Sequence, residues 1–359
     1  MLEVSTYYAL HYCKDSAARG RIILMSETPI KILVIRLSSI GDIIQCSGVP
    51  RNLRRYFPTA EIHWLVRSDN SELVKFNPFI DKVIIFDRTS GLSGWRRLAR
   101  GLAAEGYTHV YDAHNNFRSR LLTPYLKPRF FARRSKNRFK RFLLFWLKIN
   151  LFPQPYKPSE SFIEPLAQWG VASDHLGGNL HIDPGTQEKV KKLIPKADVR
   201  TIAIAPATAW PKKTWPENYW KDLIARILKE TDYHILVLGG PQDEFCKNLI
   251  LDSSRVFSFQ GRLSLLESAA ASNLCDTLIV GDTGLLHMSE SLGKDVLALV
   301  GPTPFGFPSR PKSQTLESPL WCRPCSKDGS GPCINFRFQK CMKDIKPDVV
   351  FNALKKQME

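Results

Sequence analysis

Long apolar runs, closely spaced cysteines before residue 322 and nucleotide-loop signatures are what this sequence lacks. In its most basic part the longest wholly apolar run is Phe142–Leu147, far short of the ~20 residues a membrane span needs. No segment is therefore expected to cross a bilayer. Residues 1–25 are interrupted by Lys14, Asp15, Arg19 and Arg21 and hold no continuous apolar core of a secretory signal, so the chain is expected to stay in the cytosol. Eight cysteines in 359 residues are too few for a disulfide scaffold. Neither Gly-x-x-x-x-Gly-Lys-Ser/Thr nor Gly-x-Gly-x-x-Gly follows any apolar run, which removes the main support for an ATPase or a dinucleotide dehydrogenase. Acidic residues are missing altogether from Ala113 to Ser159, where twelve Lys or Arg stand; of the net charge of +17, all but five units belong to this stretch.

With 359 residues, 43% of them hydrophobic, the chain is long enough for about two domains with cores of their own. Before Ile30 there is no periodicity, and Met25 offers an alternative start, so residues 1–29 read as an extension. From Lys31 short apolar runs alternate with helix-length segments: Lys31–Leu37, Glu61–Val66, Lys82–Phe86 and Thr108–Asp112, separated by stretches such as Gly48–Phe57 and Trp95–Glu105. A second series runs through Thr201–Ala205, Tyr233–Leu238, Arg255–Phe259, Asp276–Val280 and Asp295–Val300. Alternating strands and helices imply parallel sheets. The Pro-rich passage Phe152–Pro158 and the break at Asp183-Pro184-Gly185 interrupt the rhythm. The expected division is 30–184 and 185–359, two doubly wound α/β domains with a cleft between them.

In such sheets ligands bind beyond the carboxyl ends of the strands, and three loops there carry unusual residues. The first is Ser38-Ser39-Ile40-Gly41-Asp42, where Asp42 falls at a helix start; on this loop alone a helix cap explains it as well. The second runs from Ala205 through Thr208, Lys212 and Lys213 to Trp215-Pro216. A hydroxyl and two ammonium groups at a strand end suit a diphosphate, although the lysines also read as solvated surface charges. The third, Val280-Gly-Asp-Thr-Gly-Leu-Leu-His287, passes from a strand into a helix and presents backbone N–H groups to an anion. Alone, Asp282 is equally an N-cap and His287 a helix-face residue.

Taken together, Lys31–Asp42, Lys213-Thr-Trp-Pro216, Leu238-Gly-Gly-Pro-Gln-Asp-Glu244, Gly281–His287 and Gly301-Pro-Thr303 occur in one order over nearly the whole chain. In that order they resemble the glycosyltransferase family containing the ADP-heptose:lipopolysaccharide heptosyltransferases. The resemblance implies a GT-B fold, with the acceptor held mainly by the first Rossmann-like domain and the sugar nucleotide mainly by the second. It makes the protein an inverting enzyme that moves heptose from ADP-heptose to a lipopolysaccharide inner-core acceptor. Asp42 then matches the general base. Thr208, Lys213, Glu244, Asp282, Thr283, Gly284 and His287 match donor positions, with Gln242 competing with Glu244 for the ribose. Ser39, Arg118, Arg133, Arg134, Arg138 and Arg141 fall to the acceptor side. The segment Trp210-Pro211-Lys212 departs most from the family pattern, and no catalytic metal is implied.

In the basic stretch, Arg129, Arg133, Arg134, Lys136, Arg138, Lys140 and Arg141 alternate with Phe130, Phe131, Phe139, Phe142, Phe145 and Trp146. This is the pattern of an interfacial element on an anionic surface, so peripheral attachment to the inner face of the cytoplasmic membrane is expected. A solvated helix whose aromatics face the core is the other reading. Cys322, Cys325, Cys333 and Cys341 are spaced to approach a tetrahedral zinc or iron site of structural kind, or to be buried as free thiols. A different acceptor, protein or glycan, and a basic nucleic-acid-binding protein are the competing functions. Nucleic acid would leave Asp42 and the Asp282-Thr-Gly284 loop without a purpose and is not expected as a partner.

Overall fold

The computed structural model describes residues 29–359 apart from 155, 196 and 197. All but the last residue of the proposed 1–29 extension, and Met25 with it, lie outside the described residues.

Strands β1 (Lys31–Ile35), β2 (Glu61–Arg67), β3 (Lys82–Phe86), β4 (His109–Asp112) and β5 (Phe130–Arg133) form one sheet in the order β3-β2-β1-β4-β5. Every pairing in it is parallel. Parallel strands need crossovers, and these are supplied by α1 (Ile40–Cys46), α2 (Val49–Tyr56), α3 (Gly91–Ala104) and α4 (Phe117–Leu126). Helices α5 (Arg138–Trp146) and α6 (Glu160–Ile163) follow the sheet. The apolar run of β1 is continuous because both its faces are covered: Ile32, Leu33, Val34 and Ile35 are fully buried.

The second sheet follows α7 (Pro184–Leu193). Its strands are β6 (Thr201–Ala205), β7 (His234–Val237), β8 (Val256–Ser258), β9 (Thr277–Gly281), β10 (Val296–Leu299) and β11 (Gln314–Leu316), in the parallel order β11-β10-β9-β6-β7-β8. The helices are α8 (Glu217–Glu230), α9 (Leu265–Leu274), α10 (Gly284–Ser291), α11 (Lys340–Lys343) and α12 (Pro347–Met358). Asp183 caps α7 by accepting from the Thr186 N–H at 2.9 Å, and Pro184 occupies its first position. The sequence break at 183–185 is thus a helix start, and α7 packs on α9 of the second half.

One continuous apolar cluster joins the two halves. It takes Ile32, Val34 and Ile44 from the first and Ala203, Val280, Leu285 and Leu286 from the second. The outer faces have separate cores, one around Leu33, Ile35 and Leu102, the other around Trp215, Trp220 and Phe351. Each large side chain buried this way contributes ~1.5–3 kcal/mol.

Two strands are absent from the sequence reading, β5 and β11. Both are short edge strands; β5 leaves Phe130 and Phe131 exposed, and β11 is only partly covered, so neither carries the burial that writes a periodic pattern. Helix α5 goes against the reading in which the aromatics of the basic stretch face the core. Only Leu144 of it is buried, while Phe139, Phe142 and Trp146 are 71%, 52% and 77% exposed. These aromatics do not face the core.

Candidate active site

In each sheet the strand order reverses beside the first strand of its half, between β1 and β4 and between β6 and β9. Such switch points open a crevice beyond the strand ends, and here the two crevices face each other. Helices α1 and α10 meet across the junction at their first turns. A Cβ on Gly284 would stand 3.0 Å from Ile40 Cγ2, and one on Gly41 3.3 Å from His287 Cδ2. These two glycines let the halves approach. Between them lies a cavity of about 1070 Å³ whose walls come from both halves.

Asp42 stands in the first turn of α1 on the cavity wall. One of its oxygens accepts from Ser39 Oγ at 3.0 Å and pairs with Arg36 Nη2 at 2.5 Å. Arg36 is buried: it follows β1, donates to the Ala113 carbonyl at 2.8 Å, and lies 5.3 Å from the Phe162 ring centre. Arg134 lies over the same ring at 3.7 Å, with Ser161 fixing its guanidinium. Burial opposes charge on Asp42, but Arg36, Arg134, Ser39 and Lys327 outweigh it and hold the carboxyl below its ordinary value. Asp42 is therefore ionised at neutral pH, with its side chain 38% exposed toward the cavity.

Arg36→Met should raise the Asp42 pKa, since the burial cost stays and the cation goes. The acid limb of the pH profile of kcat/KM then moves to higher pH, and Arg36→Lys should restore most of it. A limb that stays in place would separate Arg36 from Asp42.

On the second half's side of the cavity Lys213 Nζ pairs with Asp282 Oδ2 at 2.9 Å, and Thr303 donates to the same oxygen at 2.6 Å. Burial again opposes ionisation of Asp282, and Lys213 and Thr303 reverse it, so its pKa is lowered. A Cβ on Gly306 would stand 2.0 Å from the Asp282 carboxyl carbon, which explains a glycine there. Thr208 lines the cavity with its hydroxyl on Trp210 O and Thr214 Oγ1. Thr283 caps α10 without a side-chain bond, leaving its hydroxyl and the Gly284 end of the helix at the cavity. His287 accepts from the Gln45 amide at 3.1 Å, and burial lowers its pKa, so the ring is neutral.

The cavity thus gathers Ser39, Asp42, Arg134, Arg141, Thr208, Lys213, Asp282, Thr283, Gly284 and His287 from the sequence reading. Glu244 stands outside it, exposed and paired with Lys247, while Asp243 lines the wall. Arg133 is turned inward, bound to fully buried Asp112 at 2.9 Å and to Thr123. Arg118 and Arg138 are exposed on α4 and α5, away from the cavity lining. Sequence reasoning missed Arg36, which reads as the tail of a strand, and Tyr156 and Phe305. The Pro-rich passage supplies Tyr156, whose ring packs 5.0 Å from Phe305 of the second half.

Burial pushes the Cys341 thiol up to about 11, with Cys325, Cys322 and Cys333 adding to the rise. No group of three or more His, Cys, Asp or Glu side chains among the described residues is arranged to hold a metal ion. The thiols are free, and no described helix is long and apolar enough to cross a membrane.

Two parallel Rossmann-like sheets whose switch points open on a shared cleft make up the GT-B fold. The sequence pattern of glycosyltransferase family 9 (heptosyltransferase) matches residues 95–332, and the chain belongs to that family. It is 24% identical over 314 residues to lipopolysaccharide heptosyltransferase 1 of Pseudomonas aeruginosa, covering 83% of this chain and 86% of the relative. The family 9 glycosyltransferase of Veillonella parvula superposes with a TM-score of 0.75 at 22% identity, covering 93% of this chain and 98% of that one. The Escherichia coli heptosyltransferase WaaC with ADP-2-deoxy-2-fluoro heptose superposes with a TM-score of 0.65 at 18% identity, covering 91% and 99%.

Proposed function

We propose that the protein transfers heptose from ADP-heptose to an inner-core sugar of a lipopolysaccharide precursor, with inversion at the anomeric carbon. The observation that carries this reading is the single cavity holding an ionised carboxylate, Asp42, from the first half and the Lys213–Asp282 couple with the start of α10 from the second. Residues 30–184 hold the acceptor and 185–359 the sugar nucleotide. The acceptor hydroxyl attacks the anomeric carbon while its proton passes to Asp42. The bond from that carbon to the phosphate oxygen breaks, and the charge left on ADP is met by Lys213, Thr208, Thr283 and the backbone N–H groups at Gly284. Cationic side chains supply what a catalytic metal would.

The heptosyltransferase activity of the relatives and the WaaC complex with an ADP-heptose analogue support ADP-heptose as donor. The test is thermal: saturation at 100 times Kd should stabilise the fold by ~2.7 kcal/mol, so ADP-heptose should raise Tm above every other sugar nucleotide tried. Product analysis should then find one heptose added to the precursor. Stabilisation by a different sugar nucleotide, with no heptose transferred, would refute the reading.

The site of action is the cytoplasmic face of the inner membrane, reached through α5. Its outward Phe139, Phe142 and Trp146, flanked by exposed Arg138 and Lys140, suit an anionic interface. Arg133 is committed to Asp112 and Arg134 to the cleft, so the test spares them. Changing Arg138 and Lys140 to Gln should weaken binding to phosphatidylglycerol-rich vesicles by ~1 kcal/mol each at low salt, and the difference should vanish in high salt. Equal co-sedimentation of variant and wild type at low salt would remove α5 from the membrane.

For the four cysteines we propose a structural zinc or iron. Cys322, Cys325 and Cys333 all act on the Cys341 thiol, and since no three of these side chains are arranged to hold an ion, binding one requires their sulfurs to draw together. One metal ion per chain is expected by elemental analysis of protein purified without a metal-affinity column. Neither zinc nor iron, with all four thiols titratable, would refute it.

A further inference from the structure

Two features of the sequence have no part in the donor and acceptor contacts above: the unusual Trp210-Pro211-Lys212 segment and the chain between the cysteines. The fold joins them. Lys212 is buried and donates to the Ser330 and Pro332 carbonyls at 2.8 and 3.0 Å, tying residues 325–332 onto the loop after β6. Gly329, at φ +97°, lies against Lys213, and a Cβ there would stand 2.6 Å from Lys213 Cδ. Ser326 closes the turn from within, donating to Ser330 O and accepting from the Gly329 N–H. From the first half Lys148 Nζ donates to the Cys322 and Pro324 carbonyls at 3.3 and 2.8 Å. Residues 322–332 are thus a strap across the junction of the halves, anchored to both.

This strap puts Lys327 and Asp328 on the cavity wall. Asp328 turns its carboxylate back on Ser330, which leaves Lys327 as the strap's free charge. The Asp42 side of the same cavity carries Arg134 and Arg141. Among the described residues none of these three cations has a carboxylate partner within ion-pair distance, because Asp42 is taken by Arg36 and Asp112 by Arg133. Arg141 also has its Nε buried without a hydrogen-bond partner. Like charges gathered round a single carboxylate, Asp42, that is already paired with Arg36 cost energy in the free protein and are offset when a further anion arrives.

We infer that Lys327, carried by the strap of the second half, completes with Arg134 and Arg141 of the first half an anion site beside Asp42, which binds a carboxylate or phosphate of the acceptor next to the attacking hydroxyl. The inference rests on the reading of this cleft as a lipopolysaccharide-precursor acceptor site and adds that the second half takes part in acceptor recognition. Through Lys212 and Gly329 the strap also packs on the loop that carries Lys213, so the two substrate sites share one wall.

Lys327 is exposed, so its substitution leaves the core intact. Steady-state transfer is measured with three acceptors: the intact precursor, the same precursor after phosphatase treatment, and the same after chemical reduction of its carboxylates. On the intact precursor Lys327→Gln should raise the acceptor KM about tenfold or more, the loss of one charge-assisted hydrogen bond, with the donor KM unchanged and Lys327→Arg restoring most of it. On the acceptor lacking the recognised anion, wild type and Lys327→Gln should converge, and whichever treatment produces convergence identifies phosphate or carboxylate as the partner. An unchanged KM on the intact precursor, or the same penalty on all three acceptors, would overturn the inference. Absence of transfer by the wild type on the intact precursor would instead overturn the proposed function.

Discussion

Asp42→Asn should abolish transfer while leaving donor affinity close to wild type. The amide keeps the volume of the carboxylate and can still meet Ser39, but it cannot take the acceptor's proton. Loss of a general base costs ~100- to 10,000-fold in rate, or about 3–5 kcal/mol of barrier. Arg36 sharpens the expectation, because its buried guanidinium faces Asp42 at 2.5 Å and will be left without a carboxylate. Some loss of Tm is therefore expected beside the loss of rate. Asp42→Glu, which keeps the charge but displaces it, should retain the fold and still lose most turnover. Rates measured in the presence of saturating donor decide the matter: an Asn variant turning over near wild type would take Asp42 out of the chemistry.

Lys213→Ala should act on the other substrate. Its ammonium group is the buried cation nearest the Asp282 loop, and the developing charge on the departing diphosphate needs such a group. Removal of one preorganised donor of this kind costs ~100- to 1,000-fold in kcat, and donor binding should weaken by tenfold or more. Asp282 then keeps only Thr303, so its carboxyl, now buried without a cation, should shift upward. The variant's stability should consequently be lost at a higher pH than wild type as the solution is acidified: a depressed carboxylate stabilises above its unfolded pKa, and that contribution shrinks as the folded pKa rises. Calorimetry of donor binding and single-turnover rates test the claim, and if both match wild type the phosphate assignment fails.

Strands with both faces buried were legible one by one. Thr201–Ala205 agrees residue for residue with the structure, and the other interior strands differ by a residue or two at their ends. Edge strands β3 and β8 were legible as well, β3 with the same bounds, whereas β5 and β11 were not, since they bury too little to set a pattern. Local chemistry at strand ends was legible too. Asp42, Lys213 and Asp282 sit in loops whose position follows from alternating strands and helices, and these loops do meet at one cavity. Spacing along the chain failed for Glu244, where the next-door Asp243 faces the cavity, and for Arg133, which a sequence shows only as one cation among many.

By itself the sequence determined the two parallel α/β halves, the family, the basic stretch and the loops that carry charge, because each is written in residues close together: a buried run, a Gly before a helix, a block without acids. Tertiary structure alone decided which charges are spent and which are free. Arg133 neutralises a carboxylate 21 residues away, Lys213 one that is 69 positions on, and Lys327 reaches the Asp42 end of the cleft from the far end of the chain. The energy of an ion pair depends on distance and burial in space, and neither can be read from separation in sequence.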